Sequence, residues 1–173
     1  MTIEIRESLP NDIASIEALY PQAFPEEDLL PLVRELLSNH TIVLSLVGIA
    51  DRALVGHVIF TVCGIAGGPD RVALLGPLAV APNWQRQGIG GRLIRAGIQR
   101  LEKDGIAQVY VLGDPAYYGR FGFEQDNCVA PPYPLPEEWR EAWQSMSLGD
   151  GKPPLHGELS LPEPWLKPVL WAP

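Results

Sequence analysis

The most chemically specific feature of the sequence is a glycine-bearing segment in the middle of the chain. It follows the strand-like run 78–80, leads into a helix-like run, and contains Gly88, Gly90 and Gly91. Glycines allow a backbone to pass close to an anion, and the unpaired amides at a helix N-terminus point towards that anion. The segment therefore predicts a phosphate-binding loop.

Two common phosphate-binding patterns do not fit this loop. A Walker-type loop ends on Gly-Lys-Ser/Thr, whereas Gly91 is followed by Arg92 and Leu93. A dinucleotide-binding fingerprint that began at Gly88 would need a glycine or alanine at the position that Leu93 occupies. Both patterns are therefore excluded.

A third pattern does fit, and a second motif follows it along the chain. Residues 85–90 read Gln-Arg-Gln-Gly-Ile-Gly, which matches Gln/Arg-x-x-Gly-x-Gly/Ala, and Leu-Ala-Val-x-Pro precedes them. Residues 116–123 read Ala-Tyr-Tyr-Gly-Arg-Phe-Gly-Phe, at the distance of one helix and one strand. On these two motifs the sequence resembles the GNAT N-acetyltransferase superfamily over residues 71–124, and within it an uncharacterised bacterial branch.

The resemblance implies a fold and a reaction. The fold is α/β, with a mixed, mostly antiparallel sheet that is splayed at the cofactor site and has helices on both faces. The reaction is acetyl transfer from acetyl-CoA to a primary amine by direct attack in a ternary complex, without a metal. The acceptor would be a small-molecule or peptide amine, and a homodimer stays open. The alternative is a CoA-binding regulatory or interaction module without turnover.

The same resemblance implies which residues bind acetyl-CoA. Backbone amides from Arg86 to Gly91 would hold the pyrophosphate, and the helix dipole would favour its charge. The strand at 78–80 would offer backbone groups to the pantetheine arm. Arg86 either contacts a CoA phosphate or is a solvated loop residue. The implied cofactor-binding residues are Leu78, Ala79, Val80, Gln85, Arg86, Gln87, Gly88, Ile89, Gly90 and Gly91.

Tyr118 matches the position of the family's usual general acid, four residues before Gly122. Its neighbour Tyr117 could be confused with it, although adjacent side chains on a helical turn point about 100° apart. The family often carries an asparagine six residues before this tyrosine, where this chain has Leu112. The resemblance therefore implies Tyr118 as the catalytic residue, with a departure from the family near the thiol.

The general base is not identified by the sequence. Several relatives use a glutamate on the third strand, but residues 74–78 contain no carboxylate. The candidates are Glu26, Glu27, Asp28 and His57, and a water chain could also remove the proton of the amine. The base is therefore left open.

The two cysteines, Cys63 and Cys128, have no arrangement that would make either of them reactive. An acetyl-cysteine route needs an activating His with Asp or Asn, and neither cysteine has such neighbours. They also form no Cys-x-x-Cys pair or Cys/His cluster, so a structural zinc site is not expected. Direct transfer is the predicted mechanism.

Composition restricts the class of protein. The chain has 173 residues, enough for one domain with its own core, and its net charge of −8 disfavours a general nucleic-acid binder. The first seven residues carry Glu4, Arg6 and Glu7, and the apolar h-region of a signal peptide is missing. The longest apolar stretch, 41–50, is about half the length that spans a bilayer. We therefore expect a cytoplasmic protein that binds neither nucleic acid nor membrane.

The elements that would position these residues follow from the periodicity of apolar residues. Predicted strands cover 3–6, 41–50, 53–66, 71–81, 107–112 and 157–161, and predicted helices cover 13–20, 29–37, 93–101 and 136–145. Pro21 should interrupt the first helix, and Asp51-Arg52 should form a hairpin turn. Pro77 should break strand pairing, and Gly105 should cap the helix before it.

The chain after Ala130 differs in composition from the rest, since proline and tryptophan are frequent there. Trp139 and Trp143 stand four residues apart, a spacing typical of packing on one helix face. We predict a single domain over residues 1–173, with a Pro- and Trp-rich C-terminal extension from about residue 130.

Overall fold

The computed structural model describes residues 2–39, 41–149 and 154–173. They form two compact units. The first unit holds the residues up to Thr61 together with Gly76–Gln99, and the second holds Val62–Leu75 together with Arg100–Pro173. Among these described residues, no helix is both long enough and apolar enough to cross a membrane.

Nine strands and four α-helices occur in the described residues. The strands are β1 Ile3–Glu7, β2 Val43–Ala50, β3 Ala53–Ile65, β4 Arg71–Val80, β5 Gln108–Leu112, β6 Glu124–Gln125, β7 Val129–Ala130, β8 Trp143–Ser147 and β9 Gly157–Ser160. The helices are α1 Ile13–Ala23, α2 Leu30–Leu37, α3 Ile89–Lys103 and α4 Pro115–Tyr118. Both β3 and β4 contribute residues to each unit.

The first unit contains an antiparallel set of strands, in which β1 pairs with β2 and β2 pairs with β3. The predicted hairpin between β2 and β3 is confirmed. Its two turn residues, Asp51 and Arg52, have φ angles of 50° and 64°. Left-handed conformations at both positions define a type I′ turn, whose twist matches that of the strands it joins.

Helix α1 continues through Pro21, so the predicted interruption there is wrong. The helix ends at Ala23, and the Phe24 amide donates to the Tyr20 carbonyl at 2.8 Å. Pro21 lies in the last turn of the helix, where its missing N–H removes only one backbone hydrogen bond close to the helix end.

Helix α3 packs closely on β3 because glycines stand at the contact. A Cβ on Gly97 would overlap the ring of Phe60. A Cβ on Gly56 would come within 3.0 Å of side-chain atoms of Ile89 and Leu93. The buried side chains of α3 therefore lie directly on β3, and this contact fixes the position of the N-terminus of the helix.

The second unit contains a parallel pair of strands. Strand β4 pairs with β5 in parallel from Ala73 to Leu75, and β5 pairs with β8 antiparallel. This parallel register ends just before Gly76 and Pro77, where a break was predicted. Gly105, with φ 81°, closes a Schellman motif in which Ile106 donates to the Leu101 carbonyl at 3.0 Å.

The helix predicted over 136–145 is wrong in its second half. A 3-10 segment covers Glu137–Ala142, and Trp143 begins strand β8. Trp143 stacks on Tyr110 at 5.6 Å between ring centroids and donates from Nε1 to the Val129 carbonyl at 2.8 Å. These contacts with distant parts of the chain override the helical spacing of Trp139 and Trp143.

Candidate active site

The glycine loop presents backbone amides at the N-terminus of α3. The first hydrogen bond of the helix runs from the Arg92 amide to the Gly88 carbonyl at 3.1 Å. The amides of Ile89, Gly90 and Gly91 therefore precede the helical ladder, and none donates to a backbone carbonyl of the described residues. Three adjacent amide donors at a helix N-terminus are an arrangement that suits an anion.

The loop has room for an anion beside these amides. Gly88 has φ 83°, and a Cβ built on it meets no protein atom within 4 Å. Arg86 also adopts a left-handed conformation, with φ 62°, and its side chain is exposed. The residues present thus suit a pyrophosphate, since they combine amide donors with open space at Gly88.

Two predicted binding residues shape the loop through their side chains. Gln85 donates from Nε2 to the Val80 carbonyl at 3.1 Å, and Gln87 donates from Nε2 to the Asn83 carbonyl at 3.2 Å. Both side chains tie the loop back to the chain that precedes it.

The end of β4 lies beside the loop, and its three predicted residues differ in burial. Ala79 is buried, whereas Leu78 and Val80 are half-buried. The following residue, Ala81, donates its amide to the Val55 carbonyl at 2.8 Å. The strand is therefore anchored to β3 where the loop begins.

Tyr118 lies in the second unit, at the end of the short helix α4. Asp114 caps this helix, since its Oδ1 accepts from the Ala116 amide at 2.9 Å. The Tyr118 ring lies where a Cβ on Gly113 would be and makes an edge contact with Phe123 at 5.8 Å. Burial raises the pKa of Tyr118 above its ordinary value. The residue is therefore held in place and keeps its proton at neutral pH.

Tyr117 has a different environment from Tyr118. The guanidinium of Arg120 lies 4.7 Å from the centre of the Tyr117 ring, and its Nε donates to the Tyr117 carbonyl at 3.4 Å. The two tyrosine rings meet nearly perpendicularly, at 89°. The two tyrosines therefore have different neighbours, with Tyr117 against Arg120 and Tyr118 against Phe123.

The three acidic candidates for a base line one cavity of the first unit. Glu26, Glu27 and Asp28 are exposed, and they line a cavity of about 310 Å³ together with Tyr20 and Phe24. We call it the Tyr20 cavity. The structure thus brings these three carboxylates together beside a buried tyrosine.

His57, the fourth candidate, differs from the three exposed carboxylates in its surroundings. It is 0% exposed, and both ring nitrogens are bonded: Nδ1 with Tyr20 Oη at 2.7 Å and Nε2 with Ser45 Oγ at 2.8 Å. Burial lowers the pKa of His57 to about 3, although the charge of Asp12 acts in the opposite direction. His57 is therefore neutral at physiological pH and has no face open to a ligand.

The buried imidazole predicts a pH dependence of stability. Between pH 6.5 and about 3 the unfolded chain binds a proton at His57 that the folded chain does not, so stability falls as the pH falls through this window. The expected loss approaches about 1.4 kcal/mol per pH unit once the pH is well below 6.5. Urea unfolding of the wild type and of His57→Gln at pH 7.5, 6.5 and 5.5 measures this loss of stability. The three values are about the ordinary pKa of histidine and one unit to either side. Equal slopes in the two proteins would show that His57 titrates normally.

Comparison with known proteins identifies the family. The model of the Acetyltransferase (GNAT) family matches residues 12–123, more than half of the chain. The chain belongs to the GNAT acetyltransferase family. Uncharacterized N-acetyltransferase YjhQ of Escherichia coli (strain K12) is 37% identical over 161 residues, covering 89% of this chain and 89% of YjhQ.

Two solved GNAT structures resemble the chain over nearly its whole length. YhbS from Escherichia coli, in complex with CoA, matches with a TM-score of 0.84 and 29% identity, covering 95% of this chain and 92% of that one. A GNAT family acetyltransferase from Brucella melitensis, in complex with acetyl-CoA, matches with a TM-score of 0.76 and 29% identity over 94% and 97%. The predicted family, the mixed and mostly antiparallel α/β fold and the acetyltransferase class are thereby confirmed.

The cysteines of this GNAT protein do not form a reactive site among the described residues. Burial raises the pKa of the Cys63 thiol to about 12, so it is not a thiolate at neutral pH, and Cys128 is exposed. No group of three or more His, Cys, Asp or Glu side chains suited to a metal occurs in the described part of the chain. Cys63 therefore lacks the thiolate that an acetyl-cysteine route needs.

Replacing both cysteines should leave acetyl transfer largely intact. The double variant Cys63→Ala/Cys128→Ser removes both thiols, and Cys63→Ala costs only a small buried volume. Steady-state turnover within about twofold of wild type is expected, since direct attack uses no protein thiol. A stable acetyl-cysteine found by mass spectrometry of the wild type would contradict direct transfer.

Proposed function

We propose that this protein transfers the acetyl group of acetyl-CoA to a primary amine by direct attack in a ternary complex. The observation that carries the proposal is the set of amides at Ile89, Gly90 and Gly91, which lie ahead of the helical ladder beside the open space at Gly88. Family membership and the CoA and acetyl-CoA complexes of the two similar structures support it.

The loop would bind the pyrophosphate of acetyl-CoA through its backbone. Amides from Arg86 to Gly91 donate to the phosphate oxygens, and the positive end of the α3 dipole favours their charge. Backbone groups of Leu78, Ala79 and Val80 contact the pantetheine arm. Arg86, whose side chain is exposed, adds a charge-assisted bond to a CoA phosphate.

Tyr118 would act as the general acid of the reaction. The amine nitrogen attacks the acetyl carbon, the thioester C–S bond breaks, and the leaving sulfur takes the proton of the Tyr118 hydroxyl. Tyr118 then regains a proton from water. The packing of the Tyr118 ring against Gly113 and Phe123 supports this role, because it fixes the position of a phenol that carries its proton at neutral pH, as a general acid must. The proton of the amine has to leave by a different group.

The acceptor would be a cationic amine bound at the Tyr20 cavity. Glu26, Glu27 and Asp28 give the cavity a negative potential that attracts an ammonium group. Its volume of about 310 Å³ suits a small amine or the side chain of one peptide residue. Neutral or anionic amines should therefore be poorer acceptors than cationic ones of similar size.

The release of CoA from acetyl-CoA tests the proposed function. The purified protein is incubated with acetyl-CoA and either a panel of primary amines or an extract of metabolites and peptides, and mass spectrometry detects added acetyl groups. CoA release that depends on an amine is the expected result. Binding of acetyl-CoA without acetylation of any amine would instead indicate a CoA-binding module.

A further inference from the structure

Four polar side chains form a continuous line of hydrogen bonds through the core of the first unit. Ser8 Oγ bonds to Ser45 Oγ at 2.8 Å, Ser45 Oγ to His57 Nε2 at 2.8 Å, and His57 Nδ1 to Tyr20 Oη at 2.7 Å. Tyr20 and His57 are 1% and 0% exposed. A polar line this deep is costly unless every member is bonded, and here each one is.

The residues at the two ends of this line contribute to the lining of different cavities. Tyr20 lines the Tyr20 cavity, whose other side chains include Glu26 and Asp28. Ser8 and Ser45 line a larger cavity of about 580 Å³, which we call the Ser8 cavity. The line therefore connects the two cavities through a part of the core that is closed to solvent.

Both ring-bearing members of the line stay neutral. Burial lowers the pKa of His57 to about 3 and raises the pKa of Tyr20 above its ordinary value. A neutral imidazole donates from one nitrogen and accepts at the other. The line can therefore run in two directions: the Tyr20 hydroxyl donates to His57 in one, and His57 donates to the Tyr20 oxygen in the other.

We propose that Tyr20 accepts the proton that the amine loses and that His57, Ser45 and Ser8 relay a proton to the Ser8 cavity. The relay rests on the proposed function and supplies the base that it lacks. Tyr20 is the catalytic residue, because it lines the cavity of the acceptor. The other three act through it.

The proton transfers balance at every atom. Tyr20 Oη takes a proton from the amine and gives its own to His57 Nδ1, while Nε2 gives its proton to Ser45 Oγ. Ser45 passes its proton to Ser8, and Ser8 releases one to water in the Ser8 cavity. After the product leaves, water enters the Tyr20 cavity and takes the proton of Tyr20, which takes one back from His57 Nδ1. Ser45 returns a proton to Nε2, Ser8 returns one to Ser45, and Ser8 takes one from water in the Ser8 cavity, so that every group has its starting proton again.

Charged groups surround the relay without joining it. Asp12 acts on His57 electrostatically, but Arg6 binds both of its carboxylate oxygens, at 2.8 and 3.1 Å. Glu17 and Arg34 both line the Ser8 cavity and pair with each other at 2.9 Å. A proton released at Ser8 therefore enters a cavity whose wall carries the charges of Glu17 and Arg34, and neither residue belongs to the hydrogen-bonded line.

The first test needs no acceptor. In ¹⁵N-labelled full-length protein, NMR measures how fast the ring N–H of His57 exchanges with water. Ser45→Ala should slow this exchange at least tenfold, and Ser45→Thr, which restores a hydroxyl, should return it towards wild type. Ser38→Ala, which alters another hydroxyl of the Ser8 cavity, should leave it unchanged. Exchange that is unchanged or faster in Ser45→Ala overturns the relay.

The second test uses the amine that the acceptor screen identifies. Tyr20→Phe and His57→Gln should lower kcat at pH 7 by about 10²–10⁴-fold with little change in KM, and the deficit should shrink as the pH approaches the pKa of the amine. A deficit that is equal at every pH, or one confined to KM, overturns the relay. If no amine is acetylated, the proposed function fails, and the exchange measurement still decides whether the line conducts protons.

Discussion

The Gly88→Val substitution is expected to weaken acetyl-CoA binding by at least about 100-fold, or about 2.7 kcal/mol, in a protein that still folds. Gly88 faces open space, because a Cβ added there meets no protein atom within 4 Å. It would instead fill the space that the pyrophosphate needs next to the amides of α3. Gly90→Val, in the first turn of α3, should have a similar effect. Calorimetric titration with acetyl-CoA measures both.

Gly105→Val is the matched control for this substitution. Gly88 and Gly105 have φ angles of 83° and 81°, and an added Cβ at either one meets nothing within 4 Å. Both valines therefore impose a similar backbone strain, on the order of 1–2 kcal/mol. Only the Gly88 variant should lose acetyl-CoA. Wild-type affinity in folded Gly88→Val, or an equal loss in Gly105→Val, would remove the loop from the binding site.

The features that the sequence predicts best depend on short stretches of chain. The loop around Gly88 and the Asp51-Arg52 hairpin each follow from residue types within a few positions, because backbone conformation there is set locally. Family membership also follows from short stretches of sequence, namely the two motifs. The predicted site residues and the single-domain organisation stay predictions, and the substitutions at Gly88 and Tyr118 test the site.

The features that the sequence did not predict depend on contacts between distant residues. Trp143 has helical spacing from Trp139, yet pairing with β5 and stacking on Tyr110 make it part of a strand. His57 was one of four candidate bases of equal standing. Only the folded chain shows that it joins Ser45 and Tyr20, 12 and 37 positions away, in a buried line. No local pattern carries such information.

Tyr118→Phe should lower kcat by about 10²–10⁴-fold, the usual contribution of a general acid, and by less if water protonates the thiolate. KM for acetyl-CoA should change little, because the ring still packs on Gly113 and Phe123 and one lost hydrogen bond contributes about 1 kcal/mol. Because the pKa of Tyr118 is raised, this residue should keep its proton at pH values where an ordinary tyrosine loses it. Wild-type kcat should therefore not fall in that pH range through loss of the acid. Steady-state kinetics with the identified acceptor measures both effects.

Tyr117→Phe is the control, since it removes the same hydroxyl one position earlier. Tyr117 packs against Arg120, whereas the Tyr118 ring packs on Gly113 and Phe123, and adjacent side chains on a helical turn point about 100° apart. Loss of the Tyr117 hydroxyl should therefore be far milder than that of the Tyr118 hydroxyl. If Tyr117→Phe is crippled while Tyr118→Phe turns over like wild type, the motif is displaced by one residue and Tyr117 is the acid. If both variants are unimpaired, the thiolate takes its proton from water, and neither tyrosine acts as the acid.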